Sequence, residues 1–317
     1  MEKILTISIA SYNVEKYIAE TLDSLVQSSA IDDLEILVVN DGSKDRTVEI
    51  VKGYEKKYPQ SVRLIDKQNG GWGSTINASL QVATGKYFKL LDGDDWFETA
   101  NIEPFIEFLK KTDEDVVLTQ YTKVYEPAMS RVLEICTLPE LTTIFIGDID
   151  AIAMHSVCVK TSVIQGKIQI TEHCFYTDSE FVVKVFYHAE TAIYLPISIY
   201  EYRLGLGGQS VAPTSMGRNF LQHEKMFKTV CPIVYSSEKL KKYRDSMHRM
   251  ASSQYTFFLC APVNKNTYKL MKAFTKYLKT NYKEAYEALQ TVKKAINWCY
   301  LLYYIVAKKI HKQNNLA

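Results

Sequence analysis

From the start of the chain to residue 92 the apolar positions alternate between short continuous runs and stripes at helical spacing. Residues 4–10 are an apolar run rich in β-branched side chains, the pattern of a buried strand; Val14, Ile18, Leu22, Leu25 and Val26 then mark one face of a helix. Residues 34–39 repeat the strand. Residues 45–58 predict the next helix, closed by Pro59, residues 62–65 a third strand, and residues 75–84 a helix that stops at Gly85. A fourth strand, residues 87–91, runs into Asp92. This βαβαβαβ order predicts an α/β fold that is Rossmann-like, with a mostly parallel sheet and helices on both faces. In such sheets ligands gather at the carboxyl ends of the strands. Just past those ends stand Ser11-Tyr12-Asn13, Asn40-Asp41-Gly42-Ser43, Lys67-Gln68-Asn69-Gly70-Gly71 and Asp92-Gly93-Asp94-Asp95.

Between residues 115 and 202 the pattern mixes strands (116–124, 193–195, 198–202) with a helix at 179–187, an α+β extension of the same sheet. Beyond the glycine-rich residues 205–210 it is almost purely helical. The expected boundary therefore lies there. Residues 1–210 make one domain, with a nucleotide-binding part (1–100) and an acceptor and catalytic part (101–210), and residues 211–317 a smaller helical one. In residues 267–280, Lys269, Lys272, Lys276 and Lys279 line one helix face, and Leu270, Met271, Phe274, Tyr277 and Leu278 the other.

Charge sharpens that division, because the overall net of +2 hides two opposite halves. Residues 216–317 hold 19 Lys and Arg against 5 Asp and Glu, a net of +14, which leaves residues 1–215 with 19 against 31, a net of −12. An acidic half suits metal binding, whereas a basic half suits membrane headgroups, a polyanionic acceptor or nucleic acid. The six cysteines are scattered without a C-x-x-C pair, which indicates neither a disulfide framework nor a zinc site of usual spacing. The opening residues run straight into a strand without the regions of a signal peptide, so a cytoplasmic location is expected.

Three carboxylates at one strand end, Asp92, Asp94 and Asp95, would repel one another without a cation. A hard divalent ion, Mn²⁺ or Mg²⁺, resolves this by bridging carboxylates to phosphate oxygens; a solvated acidic turn capping the next helix is the plain alternative. Asp41 stands where a carboxylate could accept a base imide N–H, while Ser43 and Asp45 read equally as a turn and helix cap. Asn69-Gly70-Gly71-Trp72-Gly73 is a glycine loop fit for close approach of a diphosphate or sugar. It has neither G-x-G-x-x-G spacing nor a G-K-[ST], which disfavours dinucleotide binding and P-loop ATP hydrolysis.

Ile7-Ser8-Ile9-Ala10-Ser11-Tyr12-Asn13, Val38-Val39-Asn40-Asp41-Gly42-Ser43, the stretch from Asn77 to Tyr87, and Leu91-Asp92-Gly93-Asp94-Asp95-Trp96 together resemble the successive signatures of the family 2 inverting glycosyltransferases of the GT-A fold, of the bacterial cell-surface glycan type. The resemblance implies that Ala10, Tyr12 and Asp41 hold the nucleotide base, and that Asp92 and Asp94 hold ribose and metal with Asp95 beside them. Asn69, Gly71, Asn77 and Gly93 complete the expected donor site, with Asp94 and Asp95 as metal ligands. The family's base precedes a helix about 80 residues later, and Tyr176-Thr177-Asp178-Ser179-Glu180-Phe181 nominates Asp178. Thr177 and Asp178 are also good helix-start residues, and Glu172, His173 and Glu180 are the runners-up as base. Two departures from the family pattern stand out. Ile76-Asn77 replaces an Arg-Asn pair, so Lys67, Lys86 or Arg203 would have to face the diphosphate, and Thr177 replaces a glutamate.

The resemblance implies a metal-dependent transferase moving a hexosyl or N-acetylhexosaminyl group from a nucleotide sugar, UDP-linked, to a hydroxyl of a lipid-linked, polymer or protein-linked glycan. Nucleic acid is not an expected partner, whereas self-association through the helical domain is open. Residues 295–307 are apolar but for Asn297, too short a run to span a bilayer, so the expectation is peripheral contact with an anionic inner membrane face. Residues 207–210 read as a segment that folds over the diphosphate, or as a linker. The alternatives are a sugar-1-phosphate nucleotidyltransferase, which would need a Gly- and Arg-rich first loop where Ala10-Ser11-Tyr12-Asn13 stands, and a non-catalytic polyanion-binding scaffold.

Overall fold

The computed structural model describes residues 2–205 and 212–316, and the chain divides into two compact units, Met1–Leu206 and Gly207–Ala317. In the first unit the apolar runs become β1 (Leu5–Ser11), β2 (Leu34–Asp41), β3 (Val62–Lys67) and β4 (Tyr87–Asp92), all parallel and side by side in the order β3-β2-β1-β4. Helices α1 (Ile18–Val26), α2 (Thr47–Lys57) and α3 (Trp72–Val82) connect them. Leu5, Ile7, Ile9, Leu34, Ile36 and Val38 are fully buried, so these strands are held by the removal of β-branched and leucine side chains from water.

Beyond β4 the sheet is mixed rather than mostly parallel. The chain continues through β5 (Trp96–Phe97), α4 (Thr99–Lys111), β6 (Val116–Tyr125), β7 (Ser130–Glu134), β8 (Thr143–Phe145), β9 (Val157–Lys160), a one-turn α5 (Thr161–Ile164), α6 (Asp178–His188) and β10 (Thr191–Leu204). The antiparallel β9 lies between β4 and β6, and β10 joins β6 in parallel. The segments expected as two strands, 193–195 and 198–202, are this single β10, whose register slips between Leu195, Ser198 and Tyr200. Pro196, lacking an N–H for the ladder, stands at that irregularity. Helix α4 forms despite Pro104, because Ile102, Phe105, Ile106 and Leu109 bury a helix-spaced stripe.

Register brings the sequence motifs to one edge. Ala10 pairs with Asp92 across β1 and β4, Ser11 with Asn40 across β1 and β2, and Asp41 with Lys67 across β2 and β3.

The second unit contains α7 (Pro213–Arg218), α8 (Phe220–Ser236), α9 (Arg244–Cys260), α10 (Lys265–Asn281), α11 (Lys283–Glu287), α12 (Thr291–Ile296) and α13 (Tyr300–Gln313). In α10, Met271, Phe274 and Leu278 pack into the core with Phe227 and Phe258 while the four lysines stay exposed, so its apolar face is used internally. Helix α13 buries only Tyr303 and Ala307. Leu301, Leu302, Tyr304 and Ile305 remain exposed, with Trp298 just before the helix 80% exposed. Among the described residues no helix is long and apolar enough to cross a membrane. Residues 207–210, expected to close over the diphosphate, lie outside the described residues.

Candidate active site at the strand ends

The loops after β1 and β2 fasten each other. Asn13 N–H donates to Ser43 Oγ at 3.0 Å, Lys44 N–H to Asn13 Oδ1 at 2.7 Å, and Glu15 N–H to Asp45 Oδ2 at 3.0 Å. Tyr12 is left half-exposed between them, an aromatic face on a braced loop, and Ala10 lies beneath at the strand end.

Asp41 organises the glycine loop. Its buried Oδ1 accepts from Lys67 Nζ at 2.7 Å and Gly70 N–H at 2.8 Å, and its Oδ2 from Gly71 N–H at 2.8 Å. Asn69 donates to the Asp41 carbonyl at 2.9 Å. Gly71 has φ +81°, and an added Cβ would come within 3.3 Å of His173 N, so both its backbone twist and its neighbour demand glycine. Asn77 on α3 is committed at both ends of its amide. It accepts from Ile170 N–H at 2.8 Å and donates to the Ile170 carbonyl at 2.9 Å and to Glu172 Oε1 at 3.0 Å, which ties residues 170–172 to the nucleotide half.

The carboxylates past β4 take different roles. Asp92 Oδ1 accepts from the Trp72 indole at 2.6 Å, and burial pushes this carboxyl up to about 7, with Asp94 and Asp178 adding to the rise. Gly93 passes so close to β1 that a Cβ would lie 2.9 Å from the Ala10 carbonyl. Asp94 is raised by burial, against the pull of its own backbone N–H and of Arg203. Asp95 is buried and accepts from Arg203 N–H at 2.7 Å and Tyr200 OH at 2.6 Å; burial, then Asp94 and Asp92, hold it well above the carboxylate range. Among the described residues one group of side chains brings ligand atoms within 4.8 Å of one another, and it joins Asp92, Asp95 and His155. Two carboxylates and a neutral imidazole fit a divalent transition ion. The sequence pointed to Asp94 with Asp95.

Asp178 is the first residue of α6, after a loop in which His173 and Tyr176 hold positive φ of 51° and 67°. Such strain in non-glycine residues persists only where the surroundings enforce it. Thr177 makes no capping bond and its buried Oγ1 has no partner, so it does not serve as the helix cap. The Asp178 carboxyl is open to solvent yet walled by neighbouring chain, whose burial pushes it up against hydrogen bonds from the backbone N–H of Ser179 and its own. Its charge contributes to the rise at Asp92, so the expected base lies near the carboxylates past β4. Glu180, a runner-up, is fully buried, paired with Lys184 at 2.6 Å, and accepts from Thr171.

Residues 6–161 match the family described as "Glycosyl transferase family 2". This stretch is a family 2 glycosyltransferase domain. It is 33% identical over 148 residues to the "Uncharacterized glycosyltransferase EpsJ" of Bacillus subtilis (strain 168), covering 45% of this chain and 42% of that one. It is also 36% identical over 109 residues to the "Minor teichoic acid biosynthesis protein GgaB" of the same organism, covering 33% of this chain and 12% of GgaB. The chain thus spans less than half the length of these relatives. Staphylococcus aureus TarS 1–349 in complex with UDP-GlcNAc superposes with a TM-score of 0.56 at 17% identity, over 98% of this chain and 92% of that one. The mannosyltransferase PcManGT of Pyrobaculum calidifontis, with GDP-Man and Mn²⁺, gives 0.55 at 15% over 100% and 89%. These likenesses establish the GT-A fold.

Within this glycosyltransferase fold the three basic side chains offered for the missing arginine are committed elsewhere. Lys67 serves Asp41, Ser74 and the Gln68 carbonyl; Lys86, at the far end of β4, donates to the Leu109 and Thr112 carbonyls. Arg203 is buried, its guanidinium reaching Glu126 and Glu20 at 2.6 Å each and the Asp94 carbonyl at 2.8 Å, with Trp96 stacked beneath at 4.4 Å. It clasps the loop of Asp94 and Asp95, its guanidinium bonded to the Asp94 carbonyl and its backbone N–H to Asp95. Sequence reasoning missed His155 and Tyr200. His155 lies in a single 3-10 turn, Met154–Ser156, where no periodicity or motif marks it. Tyr200 shows its role only through the pairing of β10 with β5.

Proposed function

We propose that the chain transfers a sugar, with inversion, from a nucleotide diphosphate donor to a hydroxyl acceptor in bacterial surface-glycan synthesis. The observation that carries this is the convergence of the Asp41 loop, the Asp92–Asp95 carboxylates and Asp178 at one edge of the sheet. The donor is read as UDP-linked, with support from the TarS complex with UDP-GlcNAc. Tyr12 stacks on the base and Asp41 Oδ2, which takes a single backbone donor, retains acceptor capacity for a base N–H. Asp178 accepts the acceptor hydroxyl's proton as that oxygen bonds to the anomeric carbon and the carbon–diphosphate bond breaks. One displacement inverts the centre.

Since Lys67, Lys86 and Arg203 are bonded within the protein, Asp92, Asp95 and neighbouring groups would hold a divalent cation, which would supply charge compensation for the leaving diphosphate. The Mn²⁺ in the PcManGT complex supports that reading. For the acceptor side, the exposed Trp298, Leu301, Tyr304 and Ile305 lie beside Lys308, Lys309 and Lys312, a surface suited to partial insertion into an anionic membrane that carries a lipid-linked acceptor.

The test is incubation of the purified chain with UDP- and GDP-sugars and Mn²⁺. Release of the nucleoside diphosphate, abolished by EDTA, is expected; full turnover in EDTA would remove the metal from the reading. Release of sugar-1-phosphate and UTP from a UDP-sugar when pyrophosphate is the co-substrate would move the protein to the nucleotidyltransferases.

A further inference from the structure

We infer that His155 is a nitrogen ligand of the divalent cation, completing a site with Asp92 and Asp95 and biasing it toward Mn²⁺ over Mg²⁺. This rests on the metal-dependent reading above and adds a residue outside the D-x-D motif. A ring nitrogen of His155 and an oxygen of each aspartate lie within 4.8 Å of one another, the scale on which one ion can reach all three.

The ring is held for a task. It stacks on Tyr202 with centroids 4.3 Å apart, leans on Tyr121 at 5.0 Å, and meets Tyr200 edge-on at 4.7 Å. Its backbone carbonyl accepts from the buried Lys89 Nζ at 2.7 Å, so the chain on either side of the ring is anchored as well. For packing in this tyrosine box a phenylalanine would serve. A histidine instead brings two nitrogens, and its Nδ1 is buried without a hydrogen-bond partner. An imidazole with an unsatisfied nitrogen, standing within ion-sharing distance of the Asp92 and Asp95 carboxylates, supplies the third donor of a candidate ion site. Tyr200 couples the parts: its hydroxyl fixes Asp95 and the Asp92 backbone while its ring edge positions His155. The imidazole sets the metal preference, because Mg²⁺ is selective for oxygen ligands whereas first-row transition ions accept nitrogen.

The experiment is electron spin-echo spectroscopy of Mn²⁺ added to the full-length chain, alone and with UDP, together with Mn²⁺ and Mg²⁺ affinities by titration. Wild type is expected to show nitrogen modulation from a directly bound imidazole. His155→Phe, which keeps the stacking, is expected to lose that modulation, to bind Mn²⁺ about tenfold or more weakly, and to lose the preference over Mg²⁺. His155→Gln should lose the modulation too, and the wild-type spectrum remains decisive if either variant folds poorly. Bound Mn²⁺ without nitrogen modulation in wild type, or modulation that survives both substitutions, would overturn the role of His155 and leave the metal reading standing. Failure of wild type to bind Mn²⁺ in either condition would overturn both.

Discussion

Removing the Arg203 guanidinium separates two roles that sequence alone confuses, a diphosphate contact and a structural clasp. In the fold its side chain is 5% exposed and spans Glu126 (24% exposed), Glu20 (51% exposed) and the Asp94 carbonyl, stacked on Trp96. Because both glutamates are partly wet, the ion pairs count for about 1 kcal/mol each rather than the 3–5 of a fully buried pair. The carbonyl hydrogen bond and the Trp96 stacking contribute about 1 kcal/mol each. Arg203→Ala should therefore destabilise the first unit by about 4 kcal/mol, and a domain of this size loses about 2–4 °C in Tm per kcal/mol. A fall of about 8–16 °C by differential scanning fluorimetry is expected. Arg203→Lys keeps the charge but not the three-way reach, and should recover less than half of the loss. Donor affinity, measured below the new transition, should change little. An unchanged Tm together with a large loss of donor affinity would refute the reasoning and return Arg203 to the diphosphate.

Asp178→Asn should lower kcat by about 10²-fold or more with donor Kd nearly unchanged, because a base acts on the acceptor's proton; a near-normal rate would pass the role to Glu172. For pH, the folded Asp92 carboxyl near 7 against an ordinary 3.8 means that the native state holds a proton the unfolded chain releases. Its contribution to stability is full below about pH 4 and is lost as the pH rises to about 7, at most about 4 kcal/mol. The metal-free Tm should thus fall between pH 5 and 7.5, Asp92→Asn should flatten the fall, and Mn²⁺ should raise Tm more at pH 7.5 than at pH 5; the opposite slope would reject the assignment. Tyr12→Ala, a substitution at a half-exposed tip, should weaken nucleotide binding by about 0.5–1.5 kcal/mol without moving Tm. Co-sedimentation with anionic vesicles should be lost at high salt and in Trp298→Ala with Ile305→Ser; absence of binding at low salt would leave that face for self-association.

What the sequence determined by itself is what local periodicity can carry. The four parallel strands, their three helices and the polar loops at their ends follow from β-branched runs and helical stripes, since each such run has one way to bury its apolar atoms. Asp41 and Asp92 drew notice for the same reason, standing at the ends of strands that could be read, whereas Asp178 was nominated by the family resemblance. The tertiary structure alone decided which side chains those residues meet. Tyr200 reaches Asp95 across 105 residues and Arg203 reaches Glu20 across 183, by pairings of β10 that no local window contains. The antiparallel β9 is four residues long, too short to announce its direction, yet its place between β4 and β6 sets the turn carrying His155 beside the carboxylates. Periodicity records only which face of an element is buried. What lies opposite that face is set by how distant strands close upon one another, and this is why a buried arginine could pass for a ligand and a histidine in a single turn could pass unnoticed.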